Sequence, residues 1–190
     1  ADLMLSSSSR DGIGHIRTET VGLLKRATDY HFDVALPVLH GTFGEDGTFQ
    51  GLMELAGIAY AGPRVKDAVI TMDKVLAKNF FLQMGLPVLP SIPLYKPEGQ
   101  DFFNVANLTN GLEITYPVCV KPAHLGSSIG VHKANTLQDL HAALLDIFGM
   151  DNCAVIEPFI ENLVEYNVAV TKATGKPRLS VIERPINDKN

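Results

Sequence analysis

Phe32-Asp33-Val34-Ala35-Leu36-Pro37-Val38-Leu39-His40-Gly41-Thr42-Phe43-Gly44-Glu45-Asp46-Gly47 is the stretch on which the reading of the fold turns. Phe32 to Leu39 is an apolar run of strand length, and it passes directly into a glycine-rich loop that opens a helical pattern. Phe49 to Ala56 reads as a short helix closed by Gly57. A strand that feeds a loop and then a helix is the unit of α/β architecture. In open sheets of that kind ligands bind beyond the carboxyl ends of strands, so a site is expected at the His40 to Gly47 loop.

Working outward, Ala61-Gly62-Pro63 marks a turn. Thr71 to Met84 places Met72, Val75, Leu76, Phe80 and Met84 near helical spacing, with Gly85 and Pro87 as a stop, and predicts one helix. Residues 90–116, punctuated by Pro90, Pro93, Pro97, Gly99 and Gly111, predict a short strand and an irregular connection. Pro117 to Lys121 predicts a strand and Pro122 to Gly130 a loop. Thr136 to Phe148 predicts a helix with Leu137, Leu140, Leu144 and Phe148 on one face and Gly149 at its end. Ala154 to Ile160 is strand-like. Glu165 to Thr171 and Arg178 to Arg184 predict two antiparallel strands joined through residues 172–176. No internal repeat is visible.

The 190 residues are 46% hydrophobic and 19% charged, the composition of a soluble globular protein. A net charge of -5 without any Lys/Arg-rich run argues against general nucleic-acid binding, which needs clustered cations. A phosphate ligand would have to be held by local positive charge. Cys119 and Cys153 each lie in an apolar run, far from metal-ligand spacing, and read as small buried hydrophobes. No apolar stretch is long enough to span a membrane, and Ala1 to Arg10 has no signal-peptide pattern, so a cytoplasmic, thiol-reducing location is the expectation. The Ser6 to Ser9 tract at the start, and a stop at Asn190 just after an apolar run, read as a partial chain.

Val120-Lys121-Pro122-Ala123-His124-Leu125-Gly126-Ser127-Ser128-Ile129-Gly130 sets a lysine at a strand end, then a small-residue loop. Backbone N–H groups and serine hydroxyls of such a loop can converge on an anion, and the lysine supplies a point charge. A purely structural glycine-rich hairpin is the competing reading. The order of residues is not that of a P-loop, because Lys121 precedes the glycines and no helix starts at Gly130; a dinucleotide fingerprint is missing as well. Lys74, in Met72-Asp73-Lys74, would by itself be an ordinary solvated cation. Glu157 ends an apolar strand and Glu165 begins another. They could accept from an adenine amino group and ribose hydroxyls, or be exposed strand-end charges. His40 and Glu45 could face a ligand or serve only the loop.

The run from His40 through Glu54 closely resembles the first signature of the D-alanine–D-alanine ligases, which are ATP-grasp enzymes. Met72-Asp73-Lys74, Val120-Lys121-Pro122 with Gly126-Ser127-Ser128-Ile129-Gly130, and Glu157-Pro158-Phe159-Ile160 resemble the family's next elements in the same order. The resemblance implies an α/β and α+β chain truncated at both ends. Its parts would be an incomplete N-terminal parallel-sheet substrate-side domain over residues 1–70, a central ATP-grasp lobe over 71–157, and the start of the C-terminal lobe over 158–190. It implies that Lys74 and Lys121 hold ATP phosphates, with Ser127 and Ser128 on the loop that covers them. Glu157 with the backbone of Pro158, Phe159 and Ile160 would meet adenine, and Glu165 the ribose. Ser127, His40 and Glu45 would serve the chemistry near the first D-alanine.

The implied reaction is ATP-dependent ligation of two D-alanines through an acyl-phosphate, for peptidoglycan precursors. Its Mg²⁺ ligands are expected beyond residue 190, with no metal ligand in this stretch, and the 190 residues alone are expected to be inactive. Implied partners are small molecules, D-alanine and ATP, with no nucleic acid, no membrane, and a homodimer. The spacing from Glu157 to Glu165 is one residue longer than the family pattern and lacks its glycine. Alternatives are another ATP-grasp ligase, such as a D-alanine–D-lactate ligase, or a nucleotide-binding module without catalysis.

Overall fold

A computed structural model describes residues 2–7, 14–19, 27–99, 105–172 and 174–186, in two compact units that divide between Pro158 and Phe159. The first unit begins with β1 (Asp2–Ser7), β2 (Gly14–Glu19) and β3 (Ala27–Phe32), an antiparallel sheet in chain order. This corrects the parallel sheet expected at this end. The segments between these strands are shorter than the dozen or so residues that a parallel crossover needs. The strand expected over Phe32 to Leu39 is likewise reduced to a single parallel bridge, Ala35 to Tyr60, in which Ala35 N–H donates to Ala59 O at 2.8 Å and Ala61 N–H to Ala35 O at 2.9 Å. Pro37 has no N–H for a next rung. Val34, Leu36, Val38 and Leu39 are exposed.

Helix α1 (Thr48–Ala56) ends as expected, with Gly57 in the left-handed region at φ 67° and its N–H on the last-turn carbonyls. The single helix expected over Thr71 to Met84 is two, α2 (Val65–Met72) and α3 (Lys74–Gln83). Asp73 breaks them apart. Its backbone is extended and its carboxylate accepts from the N–H groups of Val75, at 2.8 Å, and Leu76, at 3.1 Å, so it starts a new helix instead of continuing the old one.

The centre of this unit is an antiparallel sheet in the order β4 (Ile92–Tyr95), β7 (Cys153–Pro158), β5 (Val118–Pro122), β6 (His132–Ala134). Helix α4 (Val105–Thr109) lies within the connection expected to be irregular, of which residues 100–104 lie outside the described residues. Strand β5 alternates, with Val118, Val120 and Pro122 buried and Cys119 and Lys121 half-buried. Against its buried face packs α5 (Leu137–Phe148), through Leu140, Ala143, Leu144, Ile147 and Phe148. Leu137, assigned to that face by spacing, is the first residue of the helix and is exposed. Thr136 and Asp139 form a reciprocal capping box at its start.

Strand β7 stops at Pro158 instead of Ile160. In the second unit β8 (Val170–Thr171) pairs antiparallel with β9 (Arg178–Leu179), and Asn167 bridges Glu183. These are the two expected strands in a shorter form; Ala173 of their turn, and Ser8 and Ser9 of the serine tract, lie outside the described residues.

Candidate active site

The second face of the central sheet carries different chemistry. Cys119 stands opposite Glu157 and Lys121 opposite Val155 in the β5–β7 register, so these four side chains share one face, away from α5. Helix α3 crosses there and sets Val75 against Ala123, Cys153 and Val155. One turn beyond Lys74, Lys78 reaches the same strand end. Its ammonium lies 2.8 Å from one oxygen of Glu157 and donates to Leu89 O at 2.8 Å, while the Lys121 ammonium pairs with the other oxygen of Glu157.

Glu157 is therefore a buried carboxylate with one cation on each oxygen, its side chain only 8% exposed. Burial would raise its pKa, but hydrogen bonds and charge from Lys121 and Lys78 hold it below its ordinary value. Lys74 is half-buried. Burial, and then the nearby Lys121, depress its pKa. Its ammonium donates to Leu125 O and Ala123 O, and its backbone N–H donates to Ala123 O at 3.0 Å, so α3 grips the root of the small-residue loop.

That loop runs from Ala123 to Val131 between β5 and β6. Ser127 and Ser128 both take left-handed backbone, at φ 51° and 58°, and both are exposed. Such conformations cost about 1 kcal/mol or more in a non-glycine residue and cluster where a loop has work to do. Gly130, at φ 67°, is required: an added Cβ would lie 2.8 Å from the Pro122 ring. At the root, His124 Nδ1 is 2.8 Å from Asp151 Oδ1 and its Nε2 is 3.4 Å from Asp73 Oδ2.

The His40 to Gly47 loop is closed by its own carboxylates. Glu45 accepts from Gly41 N–H at 2.6 Å, and Asp46 accepts from the N–H groups of Phe43 and Thr48. The buried Gln50 donates to Gly44 O at 3.0 Å. His40 is exposed. No hydrogen bond or ion pair among the described residues joins His40 or Glu45 to Lys74, Lys121 or Glu157. The loop nevertheless meets the root of the serine loop. Thr42 and Asp46 line a pocket of about 250 Å³ together with Val69, Met72, Asp73 and His124.

Of the residues singled out by sequence, Lys121 and Glu157 thus lie on one sheet face, Ser127 and Ser128 on the loop attached to it, and Lys74 at the start of the helix that crosses that face. Phe159, Ile160 and Glu165 belong to the second unit, where Ile160 and Glu165 are exposed and Phe159 is half-buried. Lys78, Asp73, His124 and Asp151 escaped the sequence reading. Only Lys78 left a signal, its four-residue spacing from Lys74 on a helix that faces Glu157.

A lysine-bearing sheet face, overhung by a small-residue loop and followed by a second strand unit, is an arrangement of the ATP-grasp class. Solved structures agree. The D-alanine–D-alanine ligase of Helicobacter pylori superposes with a TM-score of 0.79 at 29% identity, covering 98% of this chain and 55% of that one. The VanG D-Ala:D-Ser ligase of Enterococcus faecalis superposes with a TM-score of 0.71 at 27% identity, covering 89% of this chain and 50% of that one.

Residues 80–189 match the family described as D-ala D-ala ligase C-terminus, and residues 7–63 the one described as D-ala D-ala ligase N-terminus, so this chain belongs to the D-alanine–D-alanine ligase family. Curated relatives include the D-alanine–D-alanine ligases of Wolinella succinogenes, 38% identical over 81% of this chain, and Staphylococcus epidermidis, 42% identical over 78%. The chain spans 42% and 41% of the lengths of these two relatives.

Proposed function

We propose that this chain carries the nucleotide-holding part of an enzyme that ligates two D-alanines at the expense of ATP, through an acyl-phosphate, for peptidoglycan precursors. The observation that carries the reading is the buried Glu157 carboxylate flanked by Lys78 and Lys121, beside a loop whose root is held by Lys74. Three lysines gathered at one sheet face, Lys121 from the sheet and Lys74 and Lys78 from α3, suit a polyphosphate in an otherwise acidic chain, and a buried acceptor suits an amino group such as adenine's.

In this reading Lys74 and Lys121 hold the phosphates, and Ser127 and Ser128 sit over them. Glu157 and the backbone of Pro158, Phe159 and Ile160 take the adenine, Glu165 the ribose, and Ser127, His40 and Glu45 serve the first D-alanine. ATP supplies the phosphoryl group that makes a carboxylate oxygen a leaving group, so that a second amine can displace it. The chain's own contribution is placement and positive charge, which is most of what phosphoryl transfer asks of a protein. Closure of the serine loop would keep water from the activated carboxylate.

Among the described residues no group of His, Cys, Asp and Glu is arranged to hold a metal ion, so the donor set here does not fit Mg²⁺. A cytoplasmic homodimer, with no nucleic-acid or membrane partner, completes the reading; no helix among the described residues is long and apolar enough to cross a membrane. The likeness to a D-Ala:D-Ser ligase favours a second reading in which the second substrate is D-serine.

The test is phosphate release from ATP by the full-length protein, with and without D-alanine. Release should depend on D-alanine, and residues 1–190 alone should show none. Lys121→Ala should weaken nucleotide binding about tenfold or more, the scale of one charge-assisted contact. Unchanged binding would sink the assignment of this face.

A further inference from the structure

His124 stands at the foot of the serine loop, where three elements meet. Its ring Nδ1 is 2.8 Å from Asp151 Oδ1, in the turn that enters β7, and its backbone N–H donates to Asp151 Oδ2 at 2.8 Å. Its Nε2 faces Asp73 Oδ2 at 3.4 Å, on the residue that caps α3. Both carboxylates are already in use. Asp73 Oδ1 accepts from Val75 and Leu76, and Asp151 Oδ1 also accepts from Cys153 N–H at 3.2 Å.

Two carboxylates on the two ring nitrogens leave one protonation state that satisfies both. A neutral imidazole has a single N–H and could donate to only one, whereas the imidazolium donates to each. The other charged groups around the ring do not reverse this. Lys74, from α3, donates to Ala123 O and Leu125 O, and Lys96, on the wall of the neighbouring pocket, donates to Phe148 O at 2.7 Å; both ammonium groups keep their charge, while the groups paired with the ring itself are Asp151 and Asp73. Asp46, across the smaller pocket, adds a third carboxylate.

We propose that His124, as the imidazolium, is a positioning residue that staples the foot of the serine loop to the cap of α3 and the entrance of β7, and so fixes where Ser127 and Ser128 close over the nucleotide. The proposal rests on the nucleotide reading of this face. Burial works against the charged ring, but Asp151 and Asp73 more than offset it and raise its pKa above the ordinary 6.5. A raised value in the folded state means that the staple is complete at low pH and is lost as pH rises through that value.

The experiment follows full-length wild type and His124→Asn from about pH 6 to about pH 9, reading KM for ATP, kcat, and the ring titration by proton NMR. Asparagine keeps one donor for Asp151 but cannot reach Asp73. In wild type KM for ATP should rise about five- to tenfold across this range, the scale of one charge-assisted bond, with kcat changing less than about twofold. In His124→Asn KM should already be high at low pH and flat. Asp73→Asn, which keeps an oxygen to cap α3, should lower the ring's titration point in a folded protein.

A variant with wild-type KM and the wild-type pH profile would overturn the staple, as would a His124 ring that titrates at or below its ordinary value. Loss of D-alanine-dependent turnover in wild type would strike the ligase reading instead, and the ring titration would then decide the staple alone.

Discussion

The two faces of the central sheet are made by the same strands and do opposite things. Toward α5, Val118, Val120, Ala154 and Ile156 meet Leu140, Leu144, Ile147 and Phe148, and none of these side chains has a polar group to satisfy. Toward α3, Glu157 pairs with Lys121 of the same face and with Lys78 of the helix, while Val75 packs against Ala123, Cys153 and Val155. A period of two residues divides the work, so that one face supplies cohesion and the other holds charge under tension. Burial of Glu157 is tolerable only because each of its oxygens has a cation.

That division can be broken most forcefully from the dry side. Leu144→Ala removes a fully buried side chain and should cost about 3 kcal/mol or more in denaturant unfolding, while nucleotide affinity of the folded fraction stays within about twofold. A parallel collapse of binding would show that the faces are not separable.

On the charged side, Glu157→Gln keeps shape but leaves two lysines without their counter-charge, and should cost about 2 kcal/mol as well as nucleotide affinity. Wild type should also lose stability in acid. Glu157 and Asp151 have folded pKa values below their ordinary 4.5 and 3.8, so their contribution is complete above those values and disappears as pH falls through the lower folded ones. The acid limb should be shallower in Glu157→Gln, and an unchanged limb would mean that Glu157 contributes nothing there.

The smallest effect sharpens the comparison. Thr136→Ala removes the cap of α5, remote from the charged face, and should cost about 1 kcal/mol with no change in nucleotide binding.

Much of the dry face could be read from sequence because its signals are local. The helical spacing through Leu140, Leu144 and Phe148, the Gly149 stop and the apolar run from Pro117 to Lys121 each stand on their own residues. The break between α2 and α3 has a local signal in Asp73, a residue suited to cap a helix, but the apolar spacing through Met72-Asp73-Lys74 is equally compatible with a continuous helix, and the bond from Lys74 N–H to Ala123 O is visible only in the fold. Pro37 was present to be read, but the run around it was assigned by hydrophobicity. On the charged face, Lys121 and Glu157 stood at strand ends, where a role could be suspected. Lys78 leaves only its four-residue spacing from Lys74, and His124 and Asp151 become meaningful only in three dimensions, because their partners lie on other elements.

The bond from Lys74 N–H to Ala123 O has a consequence for how the protein opens. The first amides of a helix ordinarily exchange with solvent by fraying, independently of anything else. Here the first amide of α3 is shielded by the foot of the serine loop, so loop release and fraying of the helix start are a single event. The two form one cooperative opening unit, whose protection against solvent rises whenever something holds the loop down.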